Sequence, residues 1–171
     1  MQHRLGERAG RARDPVFRLL SPDDVLPPYD ARIAELHRLW QTIRPAPGLL
    51  PGRQHFDPLA VPKLLRWMYL VEIEPAPMRF RYRLLGTEHV FALGRDVTGE
   101  WLDDAHPAFV SSPAYPQFLA TAAGQLAYYC GPPTYYFERD HLLIERLLLP
   151  LARDGRKVDM VLGVTVFVGR P

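Results

Sequence analysis

The side chains able to do chemistry are few and widely spaced in this chain. Six histidines stand at His3, His37, His55, His89, His106 and His141, and no two have the spacing that sets both imidazoles on one helical face. A single cysteine, Cys130, excludes an internal disulfide and any Cys-x-x-Cys site. The three serines, Ser21, Ser111 and Ser112, lie outside any Gly-x-Ser-x-Gly elbow. The twelve glycines form neither a Rossmann phosphate turn nor a Walker-type loop. Two features remain. Asp103-Asp104-Ala105-His106 brings carboxylates beside an imidazole, and Arg146 interrupts an otherwise apolar run. Arg146 either points to solvent, pairs with Glu138 or Asp159, or lies buried and needs a carboxylate or an anionic ligand.

The elements that must position these groups belong to a chain of 171 residues, one domain's worth, with 47% apolar and 23% charged residues. The longest near-uniform apolar run, residues 160–168, is far short of the roughly 20 residues of a membrane helix. No apolar stretch follows the N-terminal arginines, so the sequence carries no secretory signal pattern and reads as cytoplasmic. Net charge is +2, but residues 1–20 hold five arginines against Glu7 and Asp14, a local +3 that leaves the remainder at −1. A folded body without a basic stripe argues against nucleic acid as a partner. Residues 1–29 are therefore expected to be a basic, Pro- and Arg-rich leader, largely extended.

Residues 31–44 carry Ile33, Leu36, Trp40 and Ile43 at helical spacing, with Asp30 as a cap and Pro45 as a stop. That stripe packs either on the domain body or on a second copy of itself. A short helix is expected over residues 59–66 behind Asp57-Pro58. The period then changes from 3.6 to 2. Residues 67–74 and 78–85 alternate as two strands of a hairpin, with glutamates opposite arginines on the outer face. Residues 87–93 form a short helix stopped by Gly94, and a longer helix is expected from Ser112 to about Tyr128. Strands are expected over residues 134–139, 142–151 and 158–168, the last two joined by a turn at Arg153-Asp154-Gly155-Arg156. The class is α+β with an antiparallel sheet.

This order of elements resembles the PAS domain, and the local sequence resembles a bacterial subfamily found as small stand-alone proteins. The matching pieces are Phe80-Arg81-Tyr82-Arg83-Leu84-Leu85-Gly86-Thr87, Gly94-Arg95-Asp96-Val97-Thr98-Gly99 and Leu149-Pro150-Leu151-Ala152-Arg153-Asp154-Gly155. The resemblance covers residues 30–168 as a single domain. It implies a five-stranded antiparallel sheet with helices on one face and an N-terminal amphipathic helix. It also implies sensing or partner binding rather than catalysis, and dimerisation through the helix at residues 31–44, with Ile33, Leu36, Trp40 and Ile43 as the seam. The length leaves no room for an output domain, so signalling is expected through a protein partner in a signalling pathway.

No cofactor is assigned. Haem would need an axial ligand such as His89 or His106, and Cys130 lacks the Asn-Cys-Arg-Phe setting of light-sensing flavin domains. A small organic ligand or a filled core remains. The expected pocket wall consists of polar groups on the inner faces: Tyr69, Tyr82, His89, Tyr135, Arg146 and Thr165. The leading expectation is a sensory or adaptor protein that binds a small ligand, a protein partner, or both, as a homodimer without membrane insertion. Two rivals stand beside it. One is a ligand-free interaction module. The other is a small hydrolase or isomerase using His89 or His106 with Asp103 or Asp104 as base and orienter.

Overall fold

Residues 15–24, 30–135 and 142–168 are described in the computed structural model. Along the chain the elements are β1 (Val16–Leu20), α1 (Ala31–Thr42), β2 (Met68–Pro75), β3 (Met78–Leu85), α2 (Thr87–Leu93), α3 (Leu102–Ala105), α4 (Tyr115–Ala122), β4 (Leu126–Gly131), β5 (Leu143–Leu151) and β6 (Met160–Val168). Three single-turn 3-10 segments, Arg53–His55, Pro58–Ala60 and Leu65–Trp67, lead from α1 to β2. The strands form one sheet in the order β1-β4-β5-β6-β2-β3, every neighbour antiparallel.

The sheet is apolar on both faces, and each face has its own cover. On the outer face, Met68, Leu70, Leu126, Tyr128, Leu147, Leu149, Leu162 and Val164 form a cluster closed by α1. Asp30 caps that helix, its Oδ1 accepting from the Arg32 amide at 2.9 Å, while the Asp30 amide donates to Glu145 of β5 at 3.0 Å. Trp40 Nε1 donates to the Pro150 carbonyl at 2.9 Å, fixing the other end of α1 to β5. Ile33, Leu36 and Trp40 are fully buried here and Ile43 packs half-buried against the same cluster. The seam expected between two copies is thus occupied within one chain. The physical reason is the outer face itself, which would otherwise expose a broad apolar surface to water.

On the opposite face, Tyr69, Val71, Phe80, Tyr82, Ala127, Leu148 and Val161 meet Val97, Leu102, Phe109, Ala114 and Phe118 from α3, α4 and the loops around them. Strands covered on both sides lose the apolar–polar alternation of a half-buried strand, and β5 and β6 show it with hardly an exposed residue.

Four expectations are corrected. The sheet has six strands, because β1, in the segment read as a leader, pairs with β4 from Val16↔Cys130 to Leu20↔Leu126. The long helix expected to reach Tyr128 ends at Ala122, where Gly124 takes φ +100°, and residues 126–131 are a strand. That strand replaces the one expected at residues 134–139, of which Thr134 and Tyr135 lie in a bend and the others fall outside the described residues. The helix expected at residues 59–66 is two 3-10 turns separated by Pro62, which has no amide hydrogen to continue a ladder. Other expectations meet their elements directly. Gly94, at φ +74°, terminates α2, and Gly155, at φ +78°, makes the turn between β5 and β6.

Candidate ligand site

The helix-side face gathers all six residues expected to wall a pocket. Arg146 and Thr165 are cross-strand partners on β5 and β6, and Tyr129 stands opposite Arg146 on β4, so the three share one row. Tyr69 of β2 sits beside this row for a steric reason. Its ring lies across Gly163, where a Cβ would come within 2.2 Å of Cε2 and Cζ, so only a glycine there lets the ring lie flat on β6. The Tyr69 hydroxyl thereby reaches Thr165 Oγ1 over a long 3.4 Å contact. His89 of α2 meets the Tyr69 ring edge-on at 5.0 Å, and Tyr82 meets it at 6.5 Å. Tyr135 packs 5.2 Å from His106, whose Nε2 is 3.1 Å from the Tyr82 hydroxyl.

Arg146 is the centre of the arrangement. It is 0% exposed. Its Nη2 donates to Gln117 Oε1 of α4 at 2.8 Å and its Nη1 to Thr134 Oγ1 at 3.1 Å. The guanidinium carbon lies 5.2 Å from the Tyr129 ring and 5.9 Å from the Tyr135 ring, close enough for cation–π attraction. Its Nε has no acceptor among the described residues. Of the partners expected for it, Glu138 lies outside the described residues. Asp159 sits near the β5–β6 turn, its amide bonded to the Leu151 carbonyl, and Leu151 is five positions along the strand from Arg146, roughly 17 Å.

Burial sets the protonation of the surrounding groups. His89 Nε2 donates to the Trp67 carbonyl at 2.8 Å, yet desolvation dominates and holds its pKa at about 4, so the ring is neutral at pH 7. His106 is likewise lowered to about 4 by burial, with the Arg95 charge acting in the same direction. Burial pushes the Tyr69 and Tyr129 hydroxyls upward, against the opposing pull of the Arg146 charge.

The aspartates of the rival enzyme reading have other work. Arg79 takes both, its Nε bonding Asp103 Oδ2 at 3.0 Å and its Nη2 meeting Asp104 Oδ2 at 3.0 Å, with the guanidinium stacked 4.5 Å over Trp101. The expected glutamate–arginine pairing is therefore only partly present. Arg81 bonds its cross-strand partner Glu72, whereas Arg79 faces Glu74 in register but turns to α3. Cys130 is a half-buried residue of β4 packed on the outer cluster.

Gln117 and Thr134 were not readable as site residues. A glutamine on a short helix and a threonine in a bend are ordinarily solvent-facing, and nothing local marks these two as facing Arg146. The centre of the face is filled by rings: Phe80 packs edge-on to Phe109 at 6.0 Å and tilts against Phe118 at 5.3 Å, and Tyr135 meets Phe109 at 5.1 Å. Open clefts occur elsewhere. One of about 680 Å³ is lined by Arg53, Gln54, Glu72, Arg153, Asp159 and Met160, and an apolar groove of about 120 Å³ runs beside Phe56, Leu70 and Leu162.

Among the described residues, no group of three or more His, Cys, Asp and Glu side chains could hold a metal ion, and no helix is long and apolar enough to cross a membrane. No curated protein and no solved structure matches the chain. The family model described as a PAS domain matches residues 30–166, from the cap of α1 into β6. With that match over most of its length, and with two strands, a set of short helices and three further strands in the expected succession, the chain belongs to the PAS domain family.

Proposed function

We propose that this PAS domain is a sensory module that takes a small ligand against the helix-side face of its sheet and passes the change to a protein partner. PAS domains generally sense and signal rather than catalyse, and the finer reading rests on one observation. A buried row of polar groups, Tyr69, Thr165, Arg146 and Gln117, runs through a face whose buried residues are mostly apolar and aromatic. Such groups are expensive to bury and weaken a core that serves packing alone. In this reading the domain works in the cytoplasm, and self-association uses surfaces other than the stripe of α1.

A second reading, a ligand-free interaction module, draws on the rings of Phe80, Phe109 and Phe118 that fill the centre of the same face. Native mass spectrometry of gently purified protein, repeated after denaturation, separates the two. A reproducible added mass that leaves on denaturation upholds the sensor. A clean protein mass that stays clean after exposure to cell extract refutes it and leaves the interaction module. The same spectra report the number of copies.

A further inference from the structure

Resting on the sensory reading, we infer that the ligand of the helix-side face is a compact monocarboxylate and that Arg146 is its receptor. The first reason is electrostatic. Arg146 is fully buried, and among the described residues its hydrogen-bond acceptors, Thr134 Oγ1 and Gln117 Oε1, are both neutral. A buried cation that meets, among the described residues, only dipoles and two tyrosine rings is a costly arrangement, and an anion is what removes the cost.

The second reason is geometric. A guanidinium has five N–H groups, and two of Arg146's are accepted in this way. Its Nε–H is among those left over. A planar edge that includes Nε matches the two oxygens of a carboxylate, the bidentate pairing in which arginine excels.

The third reason bounds the ligand's charge and size. Arg146 is the one buried arginine or lysine among the described residues, and the other buried polar groups of this face are His89, His106, Ser112, Gln117, Thr121 and Thr165. One positive charge balances a monoanion and leaves a phosphate dianion half neutralised. Aromatic rings pack closely around Arg146, so an occupant would have to be a small body, planar or short and aliphatic, that tolerates or shifts them. Thr134 and Tyr135 are both half-buried, the least covered of the residues that contact Arg146.

The test pairs charged and uncharged isosteres on the full chain: acetate, isobutyrate and benzoate against acetamide, isobutyramide and benzamide, read by thermal shift and calorimetry. The expected result is that at least one acid binds while its amide does not. Arg146→Met should weaken that binding roughly 10- to 100-fold, the range set by hydrogen bonds to a charged group. Without ligand, the same variant should be at least as stable as the wild type, because it removes a buried charge that no anion among the described residues balances. Arg146→Lys, which keeps the charge and loses the planar fork, should bind more weakly than the wild type and more tightly than Arg146→Met.

Equal response to acid and amide overturns the inference, as does an Arg146→Met protein that is markedly less stable without ligand. The broader reading fails separately. If native spectra show a bound mass that Arg146→Met retains, a ligand site stands and the carboxylate falls. If there is neither a bound mass nor any response to the acids, both fall.

Discussion

Replacing Gly163 by alanine tests the placement of Tyr69, on which the polar row depends. A Cβ at position 163 would stand 2.2 Å from Tyr69 Cε2 and Cζ and 2.7 Å from its hydroxyl, far inside van der Waals contact. The ring has nowhere to go. It is 3% exposed and held edge-on by His89 at 5.0 Å and by Tyr82 at 6.5 Å. Overpacking of this kind costs about 1–3 kcal/mol, and the depth of the overlap puts it at the upper end. Replacing a strand glycine returns about 0.5–1 kcal/mol of backbone entropy, so the net loss should be about 2 kcal/mol. For a chain of this size that lowers Tm by roughly 4–8 °C. Urea unfolding of four proteins completes the measurement: wild type, Gly163→Ala, Tyr69→Val and the double variant. With the ring gone, Gly163→Ala should be neutral or stabilising, giving a coupling of about 2–3 kcal/mol between the two sites. If Gly163→Ala costs the same in both backgrounds, Tyr69 does not lie over β6 and the polar row is wrongly assembled.

Three further outcomes follow from the same structure. Trp40→Phe removes the 2.9 Å hydrogen bond to the Pro150 carbonyl and leaves that oxygen buried, so urea unfolding should show a loss of about 1–3 kcal/mol. Gly94→Ala places a side chain at φ +74° at the end of α2 and should cost about 1 kcal/mol, visible as a Tm lowered by a few degrees. His89 and His106 have folded pKa values near 4 against an ordinary 6.5, so between those limits the unfolded chain binds protons that the folded chain refuses. Stability should be level above about pH 7 and fall as the pH drops from 6.5 to 4, by about 3 kcal/mol from His89 alone. His89→Gln should flatten that slope in unfolding curves recorded across the window, and an unchanged slope would refute the assignment.

What the sequence shows of this fold follows burial. The hairpin of β2 and β3 is legible because Tyr69, Val71, Phe80 and Tyr82 alternate with residues of different character. α1 is legible because its stripe and both its ends carry local signals. Residues 126–131 hide their strand, since a segment buried on both faces carries no period of two and Tyr115, Leu119, Ala122 and Leu126 imitate a helix. β1 hides for another reason: five residues in a Pro- and Arg-rich context owe their conformation to β4 alongside, which no local pattern reports. In the candidate site, Arg146 declares itself as a charge in an apolar run, and the alternation places Tyr69 and Tyr82 on its side of the sheet. Gln117 and Thr134 become visible only when α4 and the bend after β4 are docked, because their orientation is a tertiary property.

The double cladding of the sheet has a consequence for how the domain breathes. β5 and β6 lie between neighbouring strands and under cover on both faces. Their amide hydrogens should therefore exchange with solvent only when the whole domain opens, whereas β1 and β3, at the two edges, can fray alone. Arg146 stands on the protected strand. An occupant held there would find no small, local opening whose frequency it could alter at its own site, and its binding energy would instead appear as slower exchange across the entire central sheet. Such a domain would answer its ligand as a single body, in the lifetime of its folded state as much as in its shape.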